Sequence, residues 1–139
     1  MKDLITQARD SAQVRRRDVR AVRSKNGKVG LRYVAPNGKC FFIEPNGYPA
    51  GDPNIYSKWP IEQRLRSGHS THYYGSGYVC VGKNLRRFEL YEIFYLIDAW
   101  CRGFEKYLQG KRFPARPSES FGFARGRNRP RSLWEQLFG

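Results

Sequence analysis

One cysteine in this chain follows a turn of small residues and a short apolar run, in Tyr74-Gly-Ser-Gly-Tyr-Val-Cys80-Val81. The only two histidines, His69 and His72, stand just upstream. A thiol in that company suits nucleophilic chemistry. Its thiolate can attack an electrophilic carbon such as an acyl carbonyl. A free thiol titrates near pH ~8.5, which leaves only a few per cent ionised at neutral pH. A strongly positive field and a nearby imidazole would raise that share.

Each of these residues also has a plainer reading. Cys80 can be a small packed hydrophobe between Val79 and Val81, since free cysteine is commonly buried. His72 can bond a loop backbone, and His69 can face solvent. Cys40 beside Phe41-Phe42 and Cys101 on the stripe of a helix both read as core. Tyr73, Tyr74 and Tyr78 suit a strand or loop wall and need no catalytic role. Three cysteines cannot all pair within one chain, and an odd count favours free thiols. No CxxC or HxxxH spacing offers a zinc site, and no cofactor is expected.

At 139 residues, 40% apolar and 15% aromatic, the chain can bury a core without disulfides or metal. No run approaches the roughly 18 apolar residues of a transmembrane helix, and the charged start, Met1 to Asp10, lacks a secretory apolar segment. The expectation is a soluble cytoplasmic protein with no membrane partner. Net charge is +14. An excess of that size draws phosphates or acidic protein surfaces over long range; it concerns partners and does not specify the fold.

The elements that must position the thiol read as follows. Residues 2–13 form a short helix with Leu4, Ile5 and Ala8 on one face. Asn26-Gly27 and Asn37-Gly38 predict type I′ turns joining strands at 18–24, 28–34 and 39–44. Val29, Leu31 and Tyr33 share a face at period two. Gly47 to Pro53 is an extended turn, and 54–58 a short edge strand. Residues 59–70 make a polar excursion before the cysteine. One long helix then spans about Leu85 to Gln109, with Asn84 as N-cap and Gly110 as stop. It is roughly 37 Å long at 1.5 Å per residue, and it packs on the meander. The core-bearing domain covers 1–114. Residues 115–131, rich in Arg, Pro, Gly and Ser, read as a basic flexible linker. Residues 132–139 restore an amphipathic motif, with Trp134, Leu137 and Phe138 suited to docking on a partner or back on the sheet.

Helix, antiparallel meander, tyrosine-proline turn, irregular segment, cysteine, long helix: this order resembles the ubiquitin-conjugating enzymes. Tyr48-Pro49-Ala-Gly-Asp-Pro53 is similar to their turn after the third strand, which ends in a Pro-Pro step; only Pro53 of that step is present. Tyr74-Gly-Ser-Gly-Tyr-Val-Cys80-Val81 is similar to their active-site segment, Tyr-Pro-Ser-Gly-x-Val/Ile-Cys-Leu. The resemblance covers roughly residues 2–113, and its departures from the family look like those of the bacterial relatives in ubiquitin-like conjugation operons, some of them antiphage. It implies an α+β fold, a thioester on Cys80, and a ubiquitin-like modifier and its activating enzyme as partners. The family carries an asparagine eight residues before its cysteine, as oxyanion donor or loop brace; here His72 stands there. His72 can offer a ring N–H to the oxyanion, where one donor lowers the barrier by about 3–4 kcal/mol, or take the amine's proton. The family's tryptophan about ten residues after the cysteine has no counterpart, since the next here is Trp100. Arg15, Arg16 and Arg17 fall near the first helix, where the family meets its activating enzyme, and would suit an acidic partner surface; their plain reading is a solvated face.

Three other readings stand beside this one. A nucleic-acid-binding module would use the basic surface, interleaved Tyr and Phe, and the Arg-rich tail. Against it, no RNP signature, GXXG clamp or zinc finger is visible. A scaffold of the same fold without catalysis is the second. A cysteine hydrolase is the third, and it lacks an evident acid to orient the histidine.

Overall fold

The computed structural model describes residues 1–63 and 71–113. His69, Trp134, Leu137 and Phe138, the linker at 115–131 and the motif at 132–139 lie outside the described residues.

Helices α1 (Leu4–Asp10) and α2 (Ala12–Arg15) open the chain. The single helix expected there is divided at Ser11, whose extended backbone ends α1 by donating its N–H to Gln7 O and starts α2. Serine competes for such positions because it is a weak interior helix former and a good cap. Strands β1 (Asp18–Arg23), β2 (Val29–Val34) and β3 (Cys40–Glu44) form the antiparallel meander, within one residue of the expected ends.

The turns between them differ from expectation. Gly27 and Gly38 have φ of +81° and +85°, but neither Asn26 nor Asn37 is among the positive-φ residues. The Gly27 N–H donates to Ser24 O at 2.9 Å, and the Gly38 N–H donates to Ala35 O at 2.8 Å. Each loop is therefore a type I turn closed by a left-handed glycine, the bulged three-residue hairpin. Pro36 favours this form, because its fixed φ belongs at the first central position of a type I turn.

Beyond the meander come β4 (Asn54–Tyr56), α3 (Trp59–Glu62), β5 (Tyr73–Tyr74) and β6 (Tyr78–Val79). All six strands make one antiparallel sheet in the order β1-β2-β3-β4-β6-β5. The expected edge strand β4 is thus internal, covered by the hairpin that carries the cysteine segment. Residues 59–62 are also more than a polar excursion. Trp59 is buried and meets Trp100 and Phe104 edge-on, at 6.0 and 4.7 Å between ring centroids.

The long helix α4 runs Leu90–Leu108, five residues shorter at its start than expected. Asn84 is left-handed and precedes a 3-10 turn at Leu85–Arg87. The true N-cap is Glu89, which forms a reciprocal capping box with Glu92. The Gly110 stop holds, with φ +84°. Leu90, Ile93, Phe94, Ile97 and Phe104 are fully buried in one cluster with Leu31, Tyr33, Phe41, Ile43 and Ile55. Each such side chain contributes about 1.5–3 kcal/mol relative to exposure. Inside this core Arg17 Nη1 donates to Asp98 Oδ2 at 2.5 Å and to Tyr33 OH at 2.7 Å, and Tyr33 OH donates to Asp98 Oδ1 at 2.7 Å. No helix among the described residues is long and apolar enough to cross a membrane.

Candidate thiol site

The cysteine segment is built on a tight hairpin. Ser76 and Gly77 have φ of +62° and +83°, and the Tyr78 N–H donates to Gly75 O at 3.3 Å. Two consecutive positive φ values give this turn the sign of a type I′ hairpin, the geometry expected at the other two loops. Gly77 has a second constraint: a Cβ there would lie 2.8 Å from Ser57 O. The same contact is used productively, since the Ser57 N–H donates to Gly77 O at 2.7 Å and ties the hairpin to β4.

The ladder of β5 and β6 pairs Tyr74 with Tyr78 and Tyr73 with Val79. It continues one step further, where the Cys80 N–H donates to His72 O at 2.8 Å. Cys80 and His72 are therefore opposite each other at the open end of the hairpin, as cross-strand neighbours. The bond between them is made by backbone. The His72 residue is left-handed, with φ +52°, and its ring lies 5.3 Å from that of Phe113. Thr71 and Trp100 brace the approach, as the indole Nε1–H donates to Thr71 O at 3.0 Å.

Cys80 is half-buried, and its thiol points at Gly82 O, 3.8 Å away. Burial pushes the thiol above its ordinary value, outweighing the Gly82 backbone contact and the charge of Lys83. Positive charge at Lys83 acts in the expected direction, toward the thiolate, and burial outweighs it. Desolvation acts at the sulfur, while most of the charge is distant and screened. Burial, with the Cys80 charge as a second cause, likewise pushes Tyr74 and Tyr78 upward.

The other sequence candidates divide. Cys101 is core, 3% exposed, and burial pushes its thiol far up. Cys40, expected in the core, is exposed, because β3 turns Phe41 and Ile43 inward and Cys40, Phe42 and Glu44 outward. Arg15 and Arg16 are exposed. Arg17 is not part of an open basic face: its side chain is 24% exposed and bound to Asp98. Burial holds the Asp98 carboxyl above the usual range, against the opposing pull of Tyr33 and Arg17.

Sequence reasoning missed what joins the two similar segments in space. Tyr48 is buried and donates its hydroxyl proton to Phe88 O at 2.5 Å. Gln7 of α1 donates to Tyr48 OH at 3.1 Å and accepts from the Leu90 N–H at 2.7 Å. Asp52 Oδ1 accepts from Arg86 N at 3.0 Å and from Arg86 Nη1 at 3.1 Å. The tyrosine-proline turn is thus fastened at both ends to the segment between Cys80 and α4. Comparison of the chain with protein-family models, curated proteins and solved structures gives no match.

Proposed function

We propose that this chain is a thioester carrier of the ubiquitin-conjugating type, with Cys80 as the acyl-bearing residue. One observation carries the reading: the turn at Tyr48–Asp52 and the segment after Cys80 are bonded together through Tyr48–Phe88 and Asp52–Arg86. The α+β order, with a meander, a cysteine and then a long helix on the core, supports the same reading. So does the position of a partly exposed Cys80 at the end of a hairpin.

In the reaction the Cys80 thiolate attacks the thioester carbonyl of a modifier held by its activating enzyme. A new C–S bond forms and the donor thiolate leaves. An acceptor amine then attacks the Cys80 thioester, the Cys80 thiolate departs, and the ammonium proton passes to a base. Burial disfavours the Cys80 thiolate, so a proton acceptor at the site would favour loading. His72, fixed opposite Cys80 by backbone, is the residue assigned to the incoming amine's proton or to the oxyanion. The setting we assign is a bacterial ubiquitin-like conjugation system with a role in antiviral defence.

The test is a trapping experiment. The protein is incubated with ATP, a ubiquitin-like modifier and its activating enzyme, then weighed intact without reducing agent. The expected result is an adduct of modifier mass that thiol removes and Cys80→Ala abolishes. No adduct, with both partners shown active, overturns the reading. If His72→Asn transfers as well as wild type, His72 is not the base.

A further inference from the structure

The six strands place one continuous row of side chains across the outer face of the sheet. The register runs Arg20 opposite Arg32, Arg32 opposite Phe42, Phe42 opposite Tyr56, Tyr56 opposite Tyr78, and Tyr78 opposite Tyr74. Directly opposed residues project from the same face. The alternate residues, Leu31, Tyr33, Phe41, Ile43, Ile55, Tyr73 and Val79, form the buried inner face. Arg20 is exposed and the other five members of the row are half-exposed. Five inter-strand steps make the row about 24 Å long. It is graded, with two guanidinium groups at one end, four aromatic rings at the other, and no aliphatic side chain between.

The rings are held. A Cβ on Gly30 would come within 2.7 Å of the Phe42 ring, so Phe42 lies across that glycine. Tyr56 and Tyr78 are 6.0 Å apart edge-on, and Tyr78 and Tyr74 are 6.1 Å apart, tilted. The Arg32 guanidinium donates from Nη2 to Cys40 Sγ at 3.1 Å, a contact that uses one of its five donors. Glu44, on the same face, is paired with Lys28 at 3.4 Å, which offsets its charge, and accepts a hydrogen bond from Asn54 Nδ2 at 3.2 Å.

The geometry points to a binding site for single-stranded nucleic acid on this face, with bases stacked on Tyr56, Tyr78, Tyr74 and Phe42 and phosphates held by Arg20 and Arg32. Aromatic faces accept any base, and neighbouring cations track the backbone. Duplex buries its base faces in its own stack and offers the rings nothing. A net charge of +14 supplies long-range attraction to a polyanion. This assignment is independent of acyl transfer at Cys80.

The test is fluorescence anisotropy of the full chain with labelled oligo(dT) and oligo(U) of about 12 nucleotides, within the span of known single-strand sites. Unlabelled duplex is the competitor. Tyr56→Leu/Tyr78→Leu keeps apolar bulk and removes two rings; it is expected to weaken binding roughly tenfold or more. Arg32→Gln is expected to reduce the slope of log K against log salt by about 0.7, the share of one single-strand phosphate. Ultraviolet cross-linking of the wild type needs no variant: adducts are expected on peptides bearing Tyr56, Tyr74 or Tyr78. Binding by both variants equal to wild type in affinity and slope overturns the proposal. So does equal competition by duplex, or cross-links confined to peptides from the Arg-rich segment after Arg112.

Discussion

The two ends of the sheet are built differently. Strands β1, β2 and β3 are six, six and five residues long, while β4, β6 and β5 are three, two and two. The long-stranded end is held by ladder bonds, by α1 and α2, and by the Arg17–Asp98–Tyr33 network beneath it. At the short-stranded end the tie among the described residues is made by few ladder bonds, a turn with two positive φ values and single contacts such as Ser57 to Gly77. Scaffold and site are thereby separated: regular pairing consumes backbone groups in one half, and irregular backbone presents side chains in the other.

The comparison can be tested most severely at its buried charge. Asp98→Ala leaves Arg17 without its carboxylate and is expected to cost about 3 kcal/mol, at the low end for a broken buried pair because Arg17 is partly exposed. Urea denaturation checks this; a loss below about 0.5 kcal/mol would show that the network does not hold the scaffold end. Gly77→Ala is next, at about 2 kcal/mol, since it adds a backbone clash to an unfavourable φ. Its signature is faster hydrogen exchange confined to β5 and β6. Gly27→Ala has the same sign of φ but open space around it, so about 1 kcal/mol is expected. Equal losses at the two glycines would remove the distinction between the turns. Smallest is Cys80→Ala, below about 1 kcal/mol in the same denaturation assay, because the side chain is only half-buried.

The same thiol sharpens the comparison through pH. Its folded value lies above its unfolded one, so the protonated form is favoured by folding. The corresponding stability is present below the unfolded value and is lost as pH rises through the folded one. Alkylation of Cys80 by iodoacetamide, followed by peptide mass, is expected to reach its plateau at a higher pH than the same reaction of free cysteine. A plateau near pH 7 would mean an activated thiolate and a different electrostatic site.

Much of the scaffold end was legible in the sequence. Period-two alternation from Val29 to Tyr33 and the two Asn-Gly steps located three strands to within a residue. Their turn type was misread because Asn-Gly is compatible with both hairpin forms, and Pro36 and the closing pairs decide between them. The start of α4 was misread because Leu85 continues the apolar spacing, whereas the capping box that begins the helix depends on Glu89 and Glu92 reaching each other's backbone. At the site, the placement of Cys80 after a small-residue turn was legible, but its environment was not. Desolvation of the sulfur and the pairing of Tyr78 with Tyr56 depend on the register of β6 against β4, which two-residue strands scarcely encode. Cys40 was misassigned for a related reason: its apolar neighbours suggested burial, but alternation sends every second residue outward. Reading the register across all six strands, rather than along each, is the signal that would have found the aromatic row.

The contact of Phe113 with α4 bears on where a folding unit ends. A Cβ on Gly103 would fall 2.8 Å from the Phe113 ring, so the glycine leaves a seat on the helix that this ring occupies, 6.5 Å from Trp100 and beside His72. The helix stops at Leu108, yet its surface is not complete until the chain has doubled back as far as Phe113. A truncation designed on secondary structure alone would strip that seat and bare an indole. Packing therefore sets a limit that secondary structure does not: a cut that keeps the helix whole must keep Phe113.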